Sequence, residues 1–123
     1  MSARPREIRG TSKSGYIMAR MRYEVVLAPE AATAFKSLPA YRRAEVRDAL
    51  ERHLRHEPTR VSKSRIKRLR GLSQPQYRLR VGEVRVFYDV TGEAVEILAI
   101  VTKDEAAGWL GDRGTPDAPG RSG

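Results

Sequence analysis

The sequence predicts an α+β domain in which a helical hairpin packs on one face of a four-stranded, mainly antiparallel sheet, in the order β-α-α-β-β-β. Three observations predict this class. A short β-branched run at residues 23–27 precedes two segments whose apolar residues have helical spacing. Strand-like segments then follow at residues 77–81, 84–90 and 94–101. Short turns that contain glycine separate these three segments, as expected for adjacent antiparallel strands.

The first half of the domain supplies one strand and both hairpin helices. Residues 23–27 (YEVVL) form the first strand. Pro29 opens the first helix, because proline suits the first helical turn, and Leu38-Pro39 ends it. The second helix runs from about Ala40 to His56. The apolar positions expected to face the core are Ala31, Ala34, Phe35, Leu38, Val46, Ala49 or Leu50, and Leu54.

The second half supplies the remaining strands. Residues 57–75 contain Pro58, Gly71 and Pro75 and are predicted to be a loop. Residues 77–81 (YRLRV) alternate strictly, and Gly82-Glu83 is a hairpin turn into residues 84–90. Residues 94–101 (AVEILAIV) are apolar enough for a central strand, and residues 103–110 form one short terminal helix.

The chain of 123 residues has the length of one domain. Residues 1–22 are predicted to be a disordered basic arm, residues 23–110 the folded unit, and residues 111–123 a disordered tail. The absence of cysteine excludes disulfides, thiolate metal sites and a cysteine nucleophile. No apolar run approaches about 18 residues, so no membrane segment is predicted and a cytoplasmic location is expected. His53 and His56 lack a third ligand, so no metal site is expected.

Positive charge is concentrated in one part of the chain. The formal net charge is +9, which favours a polyanionic partner such as nucleic acid. Arginine outnumbers lysine, which favours phosphate binding but is equally typical of a GC-rich genome. Residues 60–85 have Glu83 as their single acid and nine basic residues, namely Arg60, Lys63, Arg65, Lys67, Arg68, Arg70, Arg78, Arg80 and Arg85.

The alternation in the hairpin indicates where part of this charge points. If Tyr77, Leu79 and Val81 face the helices, then Arg78 and Arg80 project from the opposite face. A two-residue turn pairs Arg80 with Arg85 and places Phe87 outward beside them. Such a cluster could hold a phosphodiester, with a base stacked on Phe87. The alternative is an ordinary solvated face of an antiparallel sheet.

The loop RVSKSRIKRLRGL supplies a second group of candidate RNA contacts. These are Lys63, Arg65, Lys67, Arg68 and Arg70. Such a loop can be flexible and still bind phosphate.

Several segments together resemble the RelE/ParE superfamily of toxins from bacterial type II toxin–antitoxin systems, in its RelE-like branch. They are the opening YEVVLAPEA, the LP between the helices, KRLRGL, and YRLRVGEVRVFYDV. The resemblance covers about residues 23–103. It implies a toxin that enters the ribosomal A site, beside 16S RNA, and cuts the mRNA there without a metal or cofactor. In that reaction the ribose 2′-hydroxyl attacks the neighbouring phosphate. The resemblance also implies a cognate antitoxin that blocks the toxin.

By motif position, the resemblance implies that Arg78, Arg80 and Arg85 form the catalytic site, together with Lys103, which lies near the position where active members carry a further arginine. The chain departs from the family where active members carry a terminal tyrosine or histidine, because Trp109 and Leu110 stand there. Trp109 could anchor the C-terminal segment or contact an antitoxin. Lys103, if burial lowers its pKa, and then Tyr88 are the remaining candidates for proton transfer.

Two alternatives stay open at this stage. The ParE branch has the same fold and poisons DNA gyrase, and the missing terminal tyrosine or histidine favours it. A catalytically inactive relative that binds RNA is the other alternative. The retained cluster of Arg78, Arg80 and Arg85 favours the endonuclease over the gyrase poison.

Overall fold

A computed structural model describes residues 22–117 of the chain. The predicted basic arm lies outside the described residues except for Arg22, and so do residues 118–123 of the predicted tail. The elements are β1 (Glu24–Leu27), α1 (Pro29–Ser37), α2 (Ala40–Ala49), a π-helical extension of α2 (Leu50–Leu54), β2 (Ile66–Arg68), β3 (Leu72–Gln74), β4 (Tyr77–Val81), β5 (Val84–Thr91), β6 (Ala94–Thr102), α3 (Lys103–Arg113) and β7 (Thr115–Pro116).

The main sheet has five strands in the order β1-β6-β5-β4-β2. Strand β1 is parallel to β6, and the other neighbours are antiparallel. The predicted α+β class and the helical hairpin on a mainly antiparallel sheet are therefore confirmed. The predicted number of strands is wrong, because residues 66–68 of the supposed loop pair with β4. Three residues are too few to show a strand period.

The hydrophobic core lies between the sheet and the helical hairpin. Helix α1 and the α2 segment contribute Ala31, Val46, Leu50 and Leu54. The sheet contributes alternate residues of its strands, including Leu79, Val86 and Ile97. Tyr88 is also fully buried here, and its hydroxyl donates to the carbonyl of Pro58 at 2.6 Å. This bond fixes the segment after the second helix against the core.

Helix α3 packs on the opposite face of the sheet. Its first turn is a capping box, in which Thr102 Oγ1 accepts from the amide of Glu105 and the Glu105 carboxylate accepts from the amide of Thr102. The indole of Trp109 stacks on Phe87, with ring centroids 5.1 Å apart and planes inclined by 6°. Helix α3 therefore covers part of the sheet face opposite the hairpin helices, which the sequence analysis did not predict.

Regular secondary structure continues past Leu110, the last residue of the predicted folded unit. Helix α3 continues to Arg113, and β7 then pairs with β3. Arg113 donates to the carboxylate of Glu30 at 2.6 Å, so the end of α3 is joined to the start of α1. Within residues 22–117 no helix is long and apolar enough to cross a membrane.

Candidate nucleic-acid interface

The hairpin formed by β4 and β5 has the predicted register. Val81 pairs with Val84, Arg80 pairs with Arg85, and Arg78 lies opposite Phe87. Residues directly opposite each other in an antiparallel pair point to the same side of the sheet. Because Leu79 and Val86 belong to the core, the three arginines project from the other face. We call Arg78, Arg80 and Arg85 the arginine face.

The turn of this hairpin helps to position Arg85. Gly82 has φ of +58°, a left-handed conformation that glycine adopts without strain. The resulting turn presents the Gly82 carbonyl to the Arg85 guanidinium, whose Nη1 donates to it at 2.8 Å and to the carbonyl of Val84 at 3.1 Å. One edge of the guanidinium is therefore held by backbone.

The three charges of the arginine face interact with one another. The pKa of Arg78 is lowered, first by burial of its side chain, then by the positive charge of Arg85 and then by that of Arg80. The Nε of Arg78 is buried and has no hydrogen-bond partner among the described residues. Within residues 22–117, none of the three arginines forms an ion pair with a carboxylate. The face is thus an uncompensated cluster that an anion would stabilise.

Lys67 extends the arginine face on its outer side. It lies directly opposite Arg78 in the pairing of β2 with β4, so it belongs to the same side of the sheet, and its side chain is exposed. The sequence identified Lys67 as a loop contact but missed this placement. The sequence offered no local signal for it, because β2 has only three residues and Ile66 alone of them is buried.

The other basic residues of the predicted loop do not join this cluster. Arg68 lies over the ring of Tyr77, 5.1 Å from its centroid, and donates to the carbonyl of Gln76. Arg65 lines a separate pocket beside His53. Lys63 and Arg70 are exposed, and Arg70 borders a depression of about 770 Å³ that Lys67 and Arg68 also line.

Phe87 cannot serve as the predicted stacking platform for a base. It is 0% exposed, because Trp109 covers its ring. Its direction was predicted correctly, since it does point away from the hairpin helices. The prediction failed because the sequence pattern gave no indication that α3 returns across this face.

Neither candidate for proton transfer has the environment that the role requires. Lys103 is exposed at the first position of α3, beside the hairpin turn, where its backbone amide donates to the carbonyl of Glu83 at 2.7 Å. Lys103 is therefore not buried, contrary to the expectation. Tyr88 points into the core, and burial raises its pKa, with a further contribution from Tyr77. Tyr88 is accordingly a structural residue.

Comparison with known proteins identifies relatives among solved structures. No family model and no curated protein matches the chain. The archaeal RelE–RelB complex from Pyrococcus horikoshii OT3 is similar at 30% identity and a TM-score of 0.51, covering 68% of this chain and 97% of that one. The toxin–antitoxin complex RelBE2 from Mycobacterium tuberculosis is similar at 26% identity and a TM-score of 0.55, covering 67% and 92%.

A third solved structure, the RelB–RelE antitoxin–toxin complex from Methanococcus jannaschii, supports the fold alone. Its identity is 19%, its TM-score is 0.55, and the match covers 69% of this chain and 98% of that one. Helical hairpin, mixed sheet and C-terminal helix thus define a toxin fold of the kind found in toxin–antitoxin complexes. The chain belongs to the RelE family of these toxins.

Proposed function

We propose that this RelE-family toxin is a ribosome-dependent endonuclease that cleaves mRNA by attack of the ribose 2′-hydroxyl, without a metal. The observation that carries the proposal is the arginine face, where three guanidiniums interact and have no carboxylate partner within residues 22–117. Family membership supports the same reading. A phosphodiester is the anion that best matches a cluster of planar guanidinium donors.

In the proposed reaction, the arginine face stabilises the phosphate as its charge increases. Attack by the 2′-oxygen, which loses its proton, forms a pentacoordinate phosphorane. The bond from phosphorus to the 5′-oxygen then breaks, and this oxygen takes up a proton from solvent or from a ribosomal group, which leaves a 2′,3′-cyclic phosphate and a 5′-hydroxyl. Arg78 and Arg80 would donate to the non-bridging oxygens, which carry the added charge. The Nε of Arg78 is buried, so the donors we assign to the phosphate are the terminal N–H groups of its guanidinium.

Arg85 has a second part in the proposal, as both ligand and positioning residue. Its Nη1 is bonded to the carbonyls of Gly82 and Val84, so its guanidinium has a fixed orientation opposite Arg80. A donor held before the reaction costs little reorganisation when charge develops. The remaining N–H groups of Arg85 are the ones we assign to the phosphate.

Proton transfer is the slow part of the proposed mechanism. Guanidiniums stay protonated in proteins, so they are poor general bases. Because Tyr88 is buried and Lys103 is exposed, the 2′-hydroxyl proton passes to solvent or to a ribosomal group in this proposal. General acid–base catalysis contributes about 10²–10⁴-fold. We therefore expect slow cleavage, helped by the positioning that the ribosome supplies.

The proposed regulatory partner is a cognate antitoxin. Two of the similar solved structures, the RelBE2 and the Pyrococcus complexes, contain a toxin together with its antitoxin. The net charge of +9 favours a partner with an acidic binding segment. A small neighbouring open reading frame that encodes such a segment, and whose product binds this protein, would support the assignment.

The test is cell-free translation with added protein, followed by primer extension on the message. We expect cuts inside the reading frame with the wild-type protein, and about 10²-fold less cleavage for Arg78→Ala and for Arg80→Ala. Arg52→Ala is the matched control, because it removes the same charge from an exposed side chain on the second helix, paired with Asp48. Circular dichroism verifies that each variant is folded.

Several results would overturn the endonuclease proposal. Arrested translation with intact message would exclude cleavage, and double-strand DNA breaks in cells that express the protein would indicate gyrase poisoning. RNA binding with a steep salt dependence and no cuts would indicate an inactive relative. Equal cleavage by Arg80→Ala and Arg52→Ala would exclude the arginine face as the site.

A further inference from the structure

A second basic site lies on the helix side of the sheet, at the edge strand β2. It is a cavity of about 280 Å³ between the end of the second helix and the segment that leads into β2. The residues that line it are His53, Glu57, Arg60, Ser62, Arg65 and Ile66. The arginine face lies on the other side of the sheet, so the two sites are separate.

Backbone hydrogen bonds give this pocket a fixed wall. The amide of Ser62 donates to the carbonyl of Ile66 at 2.9 Å. The Ser62 hydroxyl oxygen accepts from the amides of Arg65 at 3.0 Å and Ile66 at 3.2 Å. With its oxygen so engaged, the hydroxyl retains one hydrogen that can be donated to an occupant of the cavity.

The charges around the cavity favour an anion. Glu57 is the one acid among the lining residues, and both of its carboxylate oxygens accept from Arg60, at 3.1 and 3.3 Å. Arg65 forms no ion pair within residues 22–117. The lining therefore offers a guanidinium, a hydroxyl and an imidazole without an opposing free carboxylate.

The pKa of the His53 imidazole depends on the charges around the cavity. Its pKa is lowered, first by burial, then by the positive charges of Arg65 and Arg52, while Asp48 opposes the effect. Two cations therefore act on this ring from different elements. An anion in the cavity would reverse their effect and favour the imidazolium.

We propose that this pocket binds a phosphate group, either a phosphomonoester or one phosphodiester of a polynucleotide. Arg65, Ser62 and His53 supply donors of the kinds that bind phosphate in proteins. The cavity is large enough for a phosphate together with part of an attached sugar. The backbone carbonyl of Arg65 accepts from the amide of Arg80, so the pocket adjoins the strand that carries the arginine face.

The test is a pH titration of the two histidines of the full-length protein by proton NMR. The titration is run in chloride, and again in inorganic phosphate at equal ionic strength. We expect phosphate to raise the pKa of His53 by about 0.5–1 pH unit. His56 is an internal control, because it is exposed and does not line the cavity, so its ring-proton signals should not respond to phosphate.

Two variants separate binding from a change in local charge. Arg65→Gln and Arg52→Gln each remove a cation that acts on His53, so both should raise its pKa in chloride. Arg65 lines the cavity and Arg52 does not. The response to phosphate should therefore be lost in Arg65→Gln and retained in Arg52→Gln. A full response in Arg65→Gln would overturn the proposal.

A short single-stranded oligoribonucleotide distinguishes the source of the phosphate. If the oligonucleotide raises the pKa of His53 at a lower concentration than inorganic phosphate does, the ligand is a polynucleotide backbone. A response to inorganic phosphate alone identifies a small phosphate ligand. If neither phosphate nor the oligonucleotide raises the pKa of His53, or if both histidines respond equally, the proposal that this pocket binds phosphate is wrong. Arg80 does not line the cavity, so Arg80→Ala should leave the cavity intact. If this variant loses mRNA cleavage, phosphate should still raise the pKa of its His53 as it does in the wild-type protein.

Discussion

Replacement of Trp109 by alanine should detach α3 from the sheet. The helix has no fully buried residue, so it depends on a few specific contacts. The substitution deletes the stack on Phe87, which is worth about 0.5–1.5 kcal/mol beyond area burial. It also deletes the hydrogen bond from Nε1 to the half-exposed carboxylate of Glu30 at 3.0 Å, worth about 1 kcal/mol. With the lost apolar burial, the expected destabilisation is about 2–3 kcal/mol.

Urea unfolding followed by circular dichroism measures this loss, and amide hydrogen exchange localises it to α3. A domain of this size should lose roughly 10 °C in Tm. Trp109→Phe keeps an aromatic ring over Phe87 but loses the bond to Glu30, so about 1 kcal/mol is expected. Tyr41→Ala is the matched control, because Tyr41 is an aromatic residue that is 64% exposed, and it should change stability by less than about 0.5 kcal/mol.

Two outcomes would refute this reasoning. Equal stability of Trp109→Ala and the wild-type protein would show that the stack contributes nothing to the fold. Unchanged protection of the α3 amides in Trp109→Ala would show that other contacts hold the helix. Either result would also reopen the question of whether Phe87 is accessible to a base.

Three further predictions concern turns, the core and pH. Gly82→Ala should destabilise the hairpin by about 1–2 kcal/mol, because the φ of Gly82 is +58°. Gly108→Ala in α3 should instead stabilise the protein by about 0.5–1 kcal/mol, since no atom lies within 4 Å of the added methyl group. Chemical denaturation measures both changes. Tyr88→Phe should cost about 1–2 kcal/mol yet leave mRNA cleavage unchanged, and a selective loss of cleavage would restore Tyr88 as a catalytic residue. Because the pKa of His53 is lower in the folded protein, the free energy of unfolding should fall as pH drops below about 6.5 towards that lowered value. His53→Gln should flatten this part of the plot of urea midpoint against pH.

The local sequence pattern was sufficient to predict the helices and strands in which buried and exposed residues recur at a regular spacing. Strict alternation in YRLRV fixed which side chains of β4 enter the core, and the two-residue turn fixed the pairing of Arg80 with Arg85. The apolar stripe of the hairpin helices could also be predicted from the sequence, because both helices bury one face against the sheet. For the same reason the arginine face could be predicted residue by residue.

Very short strands, and strands that form only by pairing with a distant part of the chain, could not be predicted from the local sequence pattern. Strand β2 has three residues, and its pairing depends on the exposed edge of β4. Strand β7 exists only because it pairs with β3, far earlier in the chain. Neither segment has an intrinsic pattern that distinguishes it from a loop.

The sequence alone determined the α+β class, the register of the central hairpin and the side of the sheet on which its arginines lie, because these depend on neighbours within a few residues. Only the tertiary structure decided which parts of that side remain accessible. Trp109 covers Phe87 and bonds to Glu30, 79 positions away, and Tyr88 is fixed by Pro58. Contacts of this range arise from packing and chain reversal, which leave no local periodicity in the sequence.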